Sequence, residues 1–228
     1  MRTRWMALVL IGGLASFLGA CQSVPGVSHP LALDTISPAA PAPLPAITTP
    51  MPIGIAQRDP PPGFVSFCMR YENQCSSAPS EASVVQLTPA VWSELRAVNT
   101  RVNEAIWPED DKLHFDRAEF WTIPTDGYGN CHDYMLTKRE LLAAAGLPLR
   151  ALRMAVVVTG QNERHAVLTV ATNYGDYVLD NLTDDIVPWN QTGYQWISRQ
   201  DSKNDWGWVA LDGQPTQLAA ATGTTSAN

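Results

Sequence analysis

The spacing of apolar residues changes at Pro148, and this change restricts the possible folds more than any other feature of the sequence. Before Pro148, apolar residues recur at helical intervals in 89–105, and a second helix-like run, 131–145, ends at Gly146. After Pro148, three short segments have the composition of strands, at 152–158, 165–171 and 176–180. The sequence therefore predicts two helices followed by antiparallel strands.

Cys131 stands where a loop ends and the second of these helices begins. A helix N-terminus has unpaired N–H groups and a partial positive charge, so a thiol at this position loses its proton more readily than usual. Cys131 is therefore the candidate nucleophile.

Two residues on the downstream strands are candidates to activate this thiol, His165 as the base and Asp180 as the acid that orients it. A turn of even length within 172–175 would put Asp180 on the same face as His165, either directly across or one diagonal away. A slip of one residue would put them on opposite faces. Asp184 and Asp185, beyond the strand, are the alternatives for the acid.

Residues 1–20 are typical of an export signal, because two arginines precede an apolar run, 6–18, that is too short to span a bilayer comfortably. The run ends in LGAC, which resembles the cleavage box of bacterial lipoproteins and makes Cys21 the lipid-carrying mature N-terminus. An ordinary signal peptide with a chance cysteine is the alternative. Lipid on Cys21 would anchor the protein in the bacterial cell envelope, facing the periplasm, and Gln22 favours the outer membrane.

Composition divides the rest of the chain into a tether, one domain and a tail. Residues 21–62 hold 11 of the 18 prolines and few charged residues, which predicts a tether that does not fold on its own. Residues 63–212 are long enough for one domain, and the small polar residues of 213–228 predict disorder. Cleavage before Cys21 would change the net charge from −7 to −9, and no basic patch stands out, so we expect no nucleic-acid partner.

Cys68 and Cys75 close a short loop ahead of the first helix. An exported protein permits oxidation, so we predict a disulfide between them. Two unpaired thiols are the alternative. A zinc site is less well supported, because no second pair with ligand spacing is present in the sequence.

Five segments of the domain together resemble the bacterial transglutaminase-like cysteine peptidases, a family that includes periplasmic proteases that cleave cell-surface adhesins. They are FVSFC at 64–68, YGNCHDY at 128–134, RHAVL at 164–168, LDNL at 179–182, and 189–200 with its TGY and SRQ. The resemblance implies a papain-like, transglutaminase-like α+β core in which the helix with the nucleophile packs on an antiparallel sheet. It assigns a catalytic triad to Cys131, His165 and Asp180.

The same resemblance implies that the Cys131 thiolate attacks an amide carbonyl and forms a thioester. Hydrolysis of an envelope or periplasmic protein is the expected outcome. The alternatives are acyl transfer to an amine, as in a transglutaminase or amidase, and a non-catalytic binding module on the same fold. The backbone N–H of Cys131, with Trp121 or Tyr128, could supply the oxyanion hole.

The adhesin-cleaving relatives carry acidic residues on both sides of their cysteine and use them to hold calcium. Here the neighbours of Cys131 are Asn130 and His132, and only Asp133 offers a carboxylate nearby, whereas calcium usually takes six or more oxygen ligands. We therefore expect no cofactor and no required calcium ion. Adjacent residues on a helix point about 100° apart, so we expect His132 to face solvent or to lie behind the site.

Overall fold

The computed structural model describes residues 43–52, 54 and 56–211. The predicted signal peptide, the predicted lipid site at Cys21, the first part of the predicted tether and the predicted tail lie outside these residues. In the part of the chain that the structure describes, no helix is long and apolar enough to cross a membrane.

The described residues form an α+β fold built on one large sheet. The helices within 56–211 are α1 (Pro62–Arg70), α2 (Pro89–Ala105), α3 (Asp111–Phe115) and α4 (Cys131–Ala144). The strands are β1 (Gln57–Arg58), β2 (Trp107–Pro108), β3 (Tyr128–Gly129), β4 (Leu152–Val158), β5 (Arg164–Thr172), β6 (Gly175–Leu179), β7 (Val187–Pro188), β8 (Gln195–Gln200) and β9 (Trp208–Ala210). Seven of these strands form an antiparallel sheet in the order β1-β9-β8-β4-β5-β6-β7, and β2 pairs with β3 in parallel.

The two predicted helices and the predicted hairpin are confirmed. At the start of α2, the Thr88 side chain caps the helix by accepting a hydrogen bond from the Val91 N–H at 3.2 Å. The second helix begins at Cys131 and ends one residue earlier than predicted. A two-residue turn joins β5 to β6, because Thr172 pairs with Gly175.

The central strands β4 and β5 are buried on both faces, which agrees with their apolar runs at 154–158 and 166–168. On one face, Met154 and Leu168 belong to the main core, which also receives α1, α2 and α4. On the other face, Val157 and Val167 pack in a smaller cluster with Met51. The sheet is thus fixed from both sides, and the site described below stands on a rigid support.

Residues 43–62, which composition assigns to the tether, pack on the sheet where the structure describes them. The Thr48 N–H donates to the Tyr174 carbonyl at 2.8 Å, and the Met51 N–H donates to the Asp176 carboxylate at 2.7 Å. Strand β1 then extends the sheet by pairing with β9. The folded domain therefore begins before residue 63. Composition predicts that the backbone of this segment is hydrated, whereas long-range hydrogen bonds join it to the domain.

The predicted disulfide between Cys68 and Cys75 is present, with a Cα–Cα distance of 5.5 Å. It joins the last turn of α1 to the loop that follows. Among the described residues, Cys131 is the free cysteine.

Helix α4 carries two charged side chains into the core. Arg139 is 2% exposed, and its Nε donates to the Leu152 carbonyl at 2.9 Å, which ties the helix to the start of β4. Lys138 is 0% exposed, and its Nζ has no hydrogen-bond partner within the described part of the chain. Burial lowers the pKa of Lys138 to about 7, although the charges of Asp180 and Asp184 favour its protonated form.

Replacing Lys138 by methionine should stabilise the protein at pH values below about 7, because the buried ammonium is then no longer taken out of water. We expect the free energy of unfolding to rise by about 3 kcal/mol in acid. Between pH 7 and the unfolded pKa of about 10.4, the unfolded wild-type chain binds more protons than the folded one, so the wild-type protein becomes more stable as the pH rises. The difference in unfolding free energy between Lys138→Met and the wild type therefore becomes smaller over this range. Denaturant titrations at several pH values measure it.

Lys112→Met is the matched control, because the Lys112 side chain is 69% exposed. Its unfolding free energy should follow that of the wild type at every pH. A Lys138→Met gain that is the same in acid and in alkali would show that packing, and not the buried charge, is responsible.

Candidate active site

His165 and Asp180 form a buried pair on one face of the β5–β6 hairpin. The ladder runs from Thr172 opposite Gly175 to Leu168 opposite Leu179, so Asp180 follows directly and lies one diagonal from His165. His165 Nε2 lies 2.7 Å from Asp180 Oδ1. The two residues are only 7% and 3% exposed, which keeps this hydrogen bond out of water.

Asp180 is held by two further donors. The Tyr194 hydroxyl donates to Asp180 Oδ2 at 2.6 Å, and the Leu182 N–H donates to Oδ1 at 3.1 Å. Burial raises the pKa of Asp180, but these hydrogen bonds and the charge of His165 outweigh burial and lower it. The carboxylate is therefore ionised at neutral pH and fixes the orientation of the imidazole.

Within the described residues, neither alternative acid is recorded in contact with His165. Asp184 Oδ1 accepts a hydrogen bond from Asn103 Nδ2 at 2.7 Å, and the Asp185 N–H lies in a short turn closed by the Thr183 hydroxyl at 3.1 Å. Of the three acidic residues that the sequence offered, Asp180 is the one paired with His165.

Cys131 is the first residue of α4, and a capping box fixes this end of the helix. Asn130 Oδ1 accepts from the His132 N–H at 3.3 Å, while Asp133 Oδ2 accepts from the Asn130 N–H at 3.1 Å. Gly129 precedes the cap, and a Cβ atom there would lie 2.8 Å from the Asp133 Cβ. The close approach of Asp133 to the backbone thus requires a glycine immediately before the cap.

Packing of α4 on the sheet brings the half-buried Cys131 thiol within hydrogen-bonding reach of His165. Burial raises the pKa of Cys131, but hydrogen bonds from His132 and His165 and their positive charges lower it to about 6. Burial lowers the pKa of His165, but Asp180 and Cys131 raise it to about 9. At pH values between these two, the shifts favour a Cys131 thiolate beside a His165 imidazolium, which is the reactive state of a cysteine nucleophile.

Of the two positions expected for His132, the one facing solvent is wrong. Its imidazole is buried, stacks on the Trp121 ring at 5.2 Å and 15°, and lies within hydrogen-bonding reach of Cys131. The helical angle between adjacent residues does not prevent this, because the ring is held by Trp121 and by Asp111, whose Oδ2 lies 3.1 Å from His132 Nε2. Tertiary packing, and not local helix geometry, orients the side chain.

The thiol opens onto a cleft of about 630 Å³, within the usual size range of ligand sites. Its lining includes 58–62, Trp121, Cys131, His165 and Ser198. Four charged residues also line the cleft, two of each sign: Arg58, Asp59, Glu119 and Arg164. Trp121 is thus close to the nucleophile. Tyr128, the other side chain suggested for the oxyanion hole, is 46% exposed and has its ring 6.3 Å from that of His114.

Asp111, His132 and Asp133 are the one group of potential metal ligands found among the described residues, with ligand atoms within 4.8 Å of one another. This group is a candidate cation site beside the nucleophile. Both Asp133 oxygens accept backbone hydrogen bonds, from Thr122 at 2.9 Å and Asn130 at 3.1 Å. Calcium usually takes six to eight oxygen ligands, whereas this group offers two carboxylates and one imidazole.

Sequence reasoning missed two residues of this region. Tyr194 lies in the TGY segment that resembles the family, so its position was visible but its hydrogen bond to Asp180 was not. Asp111 gave no signal, because it lies twenty positions before Cys131 in a short helix that carries no motif.

Comparison with known proteins identifies the family of this chain. Residues 55–216 match the sequence model of the family described as bacterial transglutaminase-like cysteine proteinase, and the chain belongs to this family. A structure of calcium-bound Legionella pneumophila LapG is similar at a TM-score of 0.47 and 22% identity, over 57% of this chain and 75% of that chain. The EGTA-treated form gives 0.46 and 24% identity, over 53% and 67%. A search of curated proteins gave no match.

The rate of Cys131 alkylation by iodoacetamide should rise with a midpoint near pH 6, because the thiolate forms above its pKa of about 6. In denaturant, the same cysteine should show a midpoint near the ordinary value of about 8.5. Mass spectrometry of the Cys131 peptide measures both. A folded-state midpoint equal to that of the unfolded chain would contradict the thiolate–imidazolium pair.

Proposed function

We propose that this protein is a lipid-anchored cysteine peptidase that hydrolyses amide bonds of periplasmic or cell-envelope proteins through a thioester on Cys131. One observation carries the proposal: Cys131 and His165 line the same cleft, and His165 Nε2 lies 2.7 Å from Asp180 Oδ1. Membership of a cysteine peptidase family supports it.

In the proposed acylation step, the Cys131 sulfur attacks the substrate carbonyl carbon. The C–N bond breaks, His165 transfers its proton to the departing amine, and the acyl group remains on sulfur as a thioester. In the second step, His165 takes a proton from water as the water oxygen attacks the thioester. The C–S bond then breaks, and the products are a carboxylic acid and the regenerated Cys131 thiolate beside the protonated His165. Asp180 holds the imidazole in place throughout and stabilises its charged form.

Negative charge develops on the carbonyl oxygen in both steps and needs donors. The backbone N–H of Cys131 is one candidate, since the first N–H groups of a helix lack partners within the helix. Trp121, which lines the same cleft, is the second. Tyr128 is a weaker candidate for this donor, because it is exposed and lies beside His114.

The proposed domain layout follows from the sequence. Residues 1–20 direct export, Cys21 carries the lipid, the proline-rich segment connects the anchor to the peptidase domain, and 213–228 form a tail. The described part of 43–62 packs on the domain, so the connecting segment is shorter than composition alone predicts. The greatest distance of the cleft from the membrane is consequently smaller than it would be with a tether of 21–62.

Replacing Cys131 by alanine or His165 by alanine should abolish cleavage of an envelope-protein extract, with rates reduced roughly a thousandfold or more. The effects of replacing residues that act together are not additive, so the double variant should lose no more activity than either single variant. Asp180→Asn should retain some activity, because it keeps the size of the orienting group while removing its charge. Circular dichroism checks that each variant is folded.

Asp184→Asn is the matched control for Asp180→Asn, since Asp184 is hydrogen-bonded to Asn103. It should cleave at about the wild-type rate. A folded Cys131→Ala variant that cleaves as well as the wild type would refute the mechanism, and equal losses in Asp180→Asn and Asp184→Asn would refute the assignment of the acid.

Cys21→Ser should give a protein that is exported but no longer attached to the membrane, because the acyl chains on Cys21 are the proposed anchor. Fractionation into membrane and periplasm measures this. Recovery of the wild-type protein in the soluble periplasm, with a mature N-terminus other than Cys21, would show that the lipoprotein assignment is wrong.

A further inference from the structure

His132 sits in a buried acidic surrounding next to the nucleophile. Its neighbours Asp111 and Asp133 are 2% and 0% exposed, and its Nε2 lies 3.1 Å from Asp111 Oδ2 and 3.7 Å from Asp133 Oδ1. Asp111 Oδ1 and His132 Nε2 are both buried and have no hydrogen-bond partner in the described part of the chain, so the ring contacts the two carboxylates as ion pairs and not through hydrogen bonds. Two carboxylates therefore converge on one imidazole.

Buried carboxylates require a positive charge nearby, because their desolvation is expensive without one. Burial raises the pKa of Asp133 only to about 6, so it carries its charge at neutral pH, and Asp111 keeps a pKa below its ordinary value. Metal ions commonly supply the compensating charge in such clusters. Here His132 Nε2 contacts an oxygen of each carboxylate, and two carboxylates with one imidazole do not fit the six or more oxygen ligands of calcium.

We propose that a protonated His132 is the resident cation of this cluster in place of a metal ion, and that it positions and stabilises the Cys131 thiolate. The inference rests on the proposed role of Cys131 as the nucleophile. Three contacts define the position of the ring: Asp111 and Asp133 face its Nε2, and Trp121 covers its plane. A cation over an indole ring is itself stabilised by the aromatic face.

The two imidazoles that reach the thiol then have different tasks. His165 is paired with a single carboxylate, Asp180, and can give its proton to the leaving amine. His132 is held between two carboxylates, so its proton stays in place and its charge persists while His165 changes protonation state. The thiolate therefore keeps one fixed positive neighbour throughout the reaction. Asp111 from α3, Asp133 and Cys131 from α4, and His165 from β5 are the ionisable groups around this charge.

His132→Gln tests this role, because glutamine can hydrogen-bond but carries no charge. The midpoint of Cys131 alkylation should rise by one pH unit or more, which lowers the alkylation rate near pH 5 about tenfold or more, while the rate in alkali stays close to that of the wild type. A merely structural role would lower the rate at every pH. A midpoint that does not move would overturn the proposal.

His114→Gln is the matched control. His114 also lies between two carboxylates, with Glu109 against its Nδ1 and Asp126 2.9 Å from its Nε2, but these contacts are away from the thiol. Its alkylation profile should equal that of the wild type. A shift as large as that of His132→Gln would show that any lost positive charge has the same effect, and would refute a specific role.

Two measurements on the wild-type protein keep the test decisive if His132→Gln does not fold. NMR of ¹⁵N-labelled histidine should show both ring nitrogens of His132 protonated at pH 7.5, and a neutral ring would overturn the proposal. Melting temperature and alkylation rate should be the same with calcium, zinc or EGTA. Stabilisation by either metal, or loss of reactivity in EGTA, would also overturn it.

These readouts need no peptide substrate. A protein that alkylates as expected but cleaves nothing would refute the proposed function and leave the role of His132 standing. If the wild-type protein cleaves through Cys131 but His132→Gln does not shift the pH profile of alkylation, the role of His132 is refuted and the proposed function stands.

Discussion

The Asp133 carboxylate is the interaction on which the site depends. It is fully buried, and its two oxygens accept the N–H groups of Asn130 and Thr122, so one side chain caps α4 and fixes the adjoining loop. That loop carries Trp121, and the cap determines where Cys131 begins the helix. Loss of this carboxylate would release the nucleophile and one wall of the cleft together.

A second constraint fixes the opposite side of the site. The two-residue turn between β5 and β6 sets the register that puts Asp180 one diagonal from His165, and Tyr194 holds Asp180 from beyond the hairpin. The sheet below is packed on both faces and cannot shift to accommodate a misplaced side chain. The helix cap thus positions Cys131, and the hairpin register independently positions His165 and Asp180.

Much of this geometry could be predicted from the sequence because its signals are local. Thr88 and Pro89 mark the start of α2, Gly146 marks the end of α4, and the turn after β5 has the residues that such turns require. The orientation of His132 could not be predicted, because it depends on Trp121 and Asp111, which reach it only through the fold. The packing of 43–62 could not be predicted for the same reason, because the hydrogen-bond partners of Thr48 and Met51 are distant in the sequence.

The central claim is that the Cys131 sulfur carries the acyl group of a cleaved amide. Acid-quenched reactions with a peptide drawn from a cleaved envelope protein, followed by mass spectrometry of the intact protein and of its Cys131 peptide, test it most directly. The account predicts one transient adduct with the mass of the acyl fragment, located on Cys131 and released by hydroxylamine. Cleavage without any such adduct, under conditions in which Asp180→Asn slows turnover, or an adduct on another residue, would contradict it.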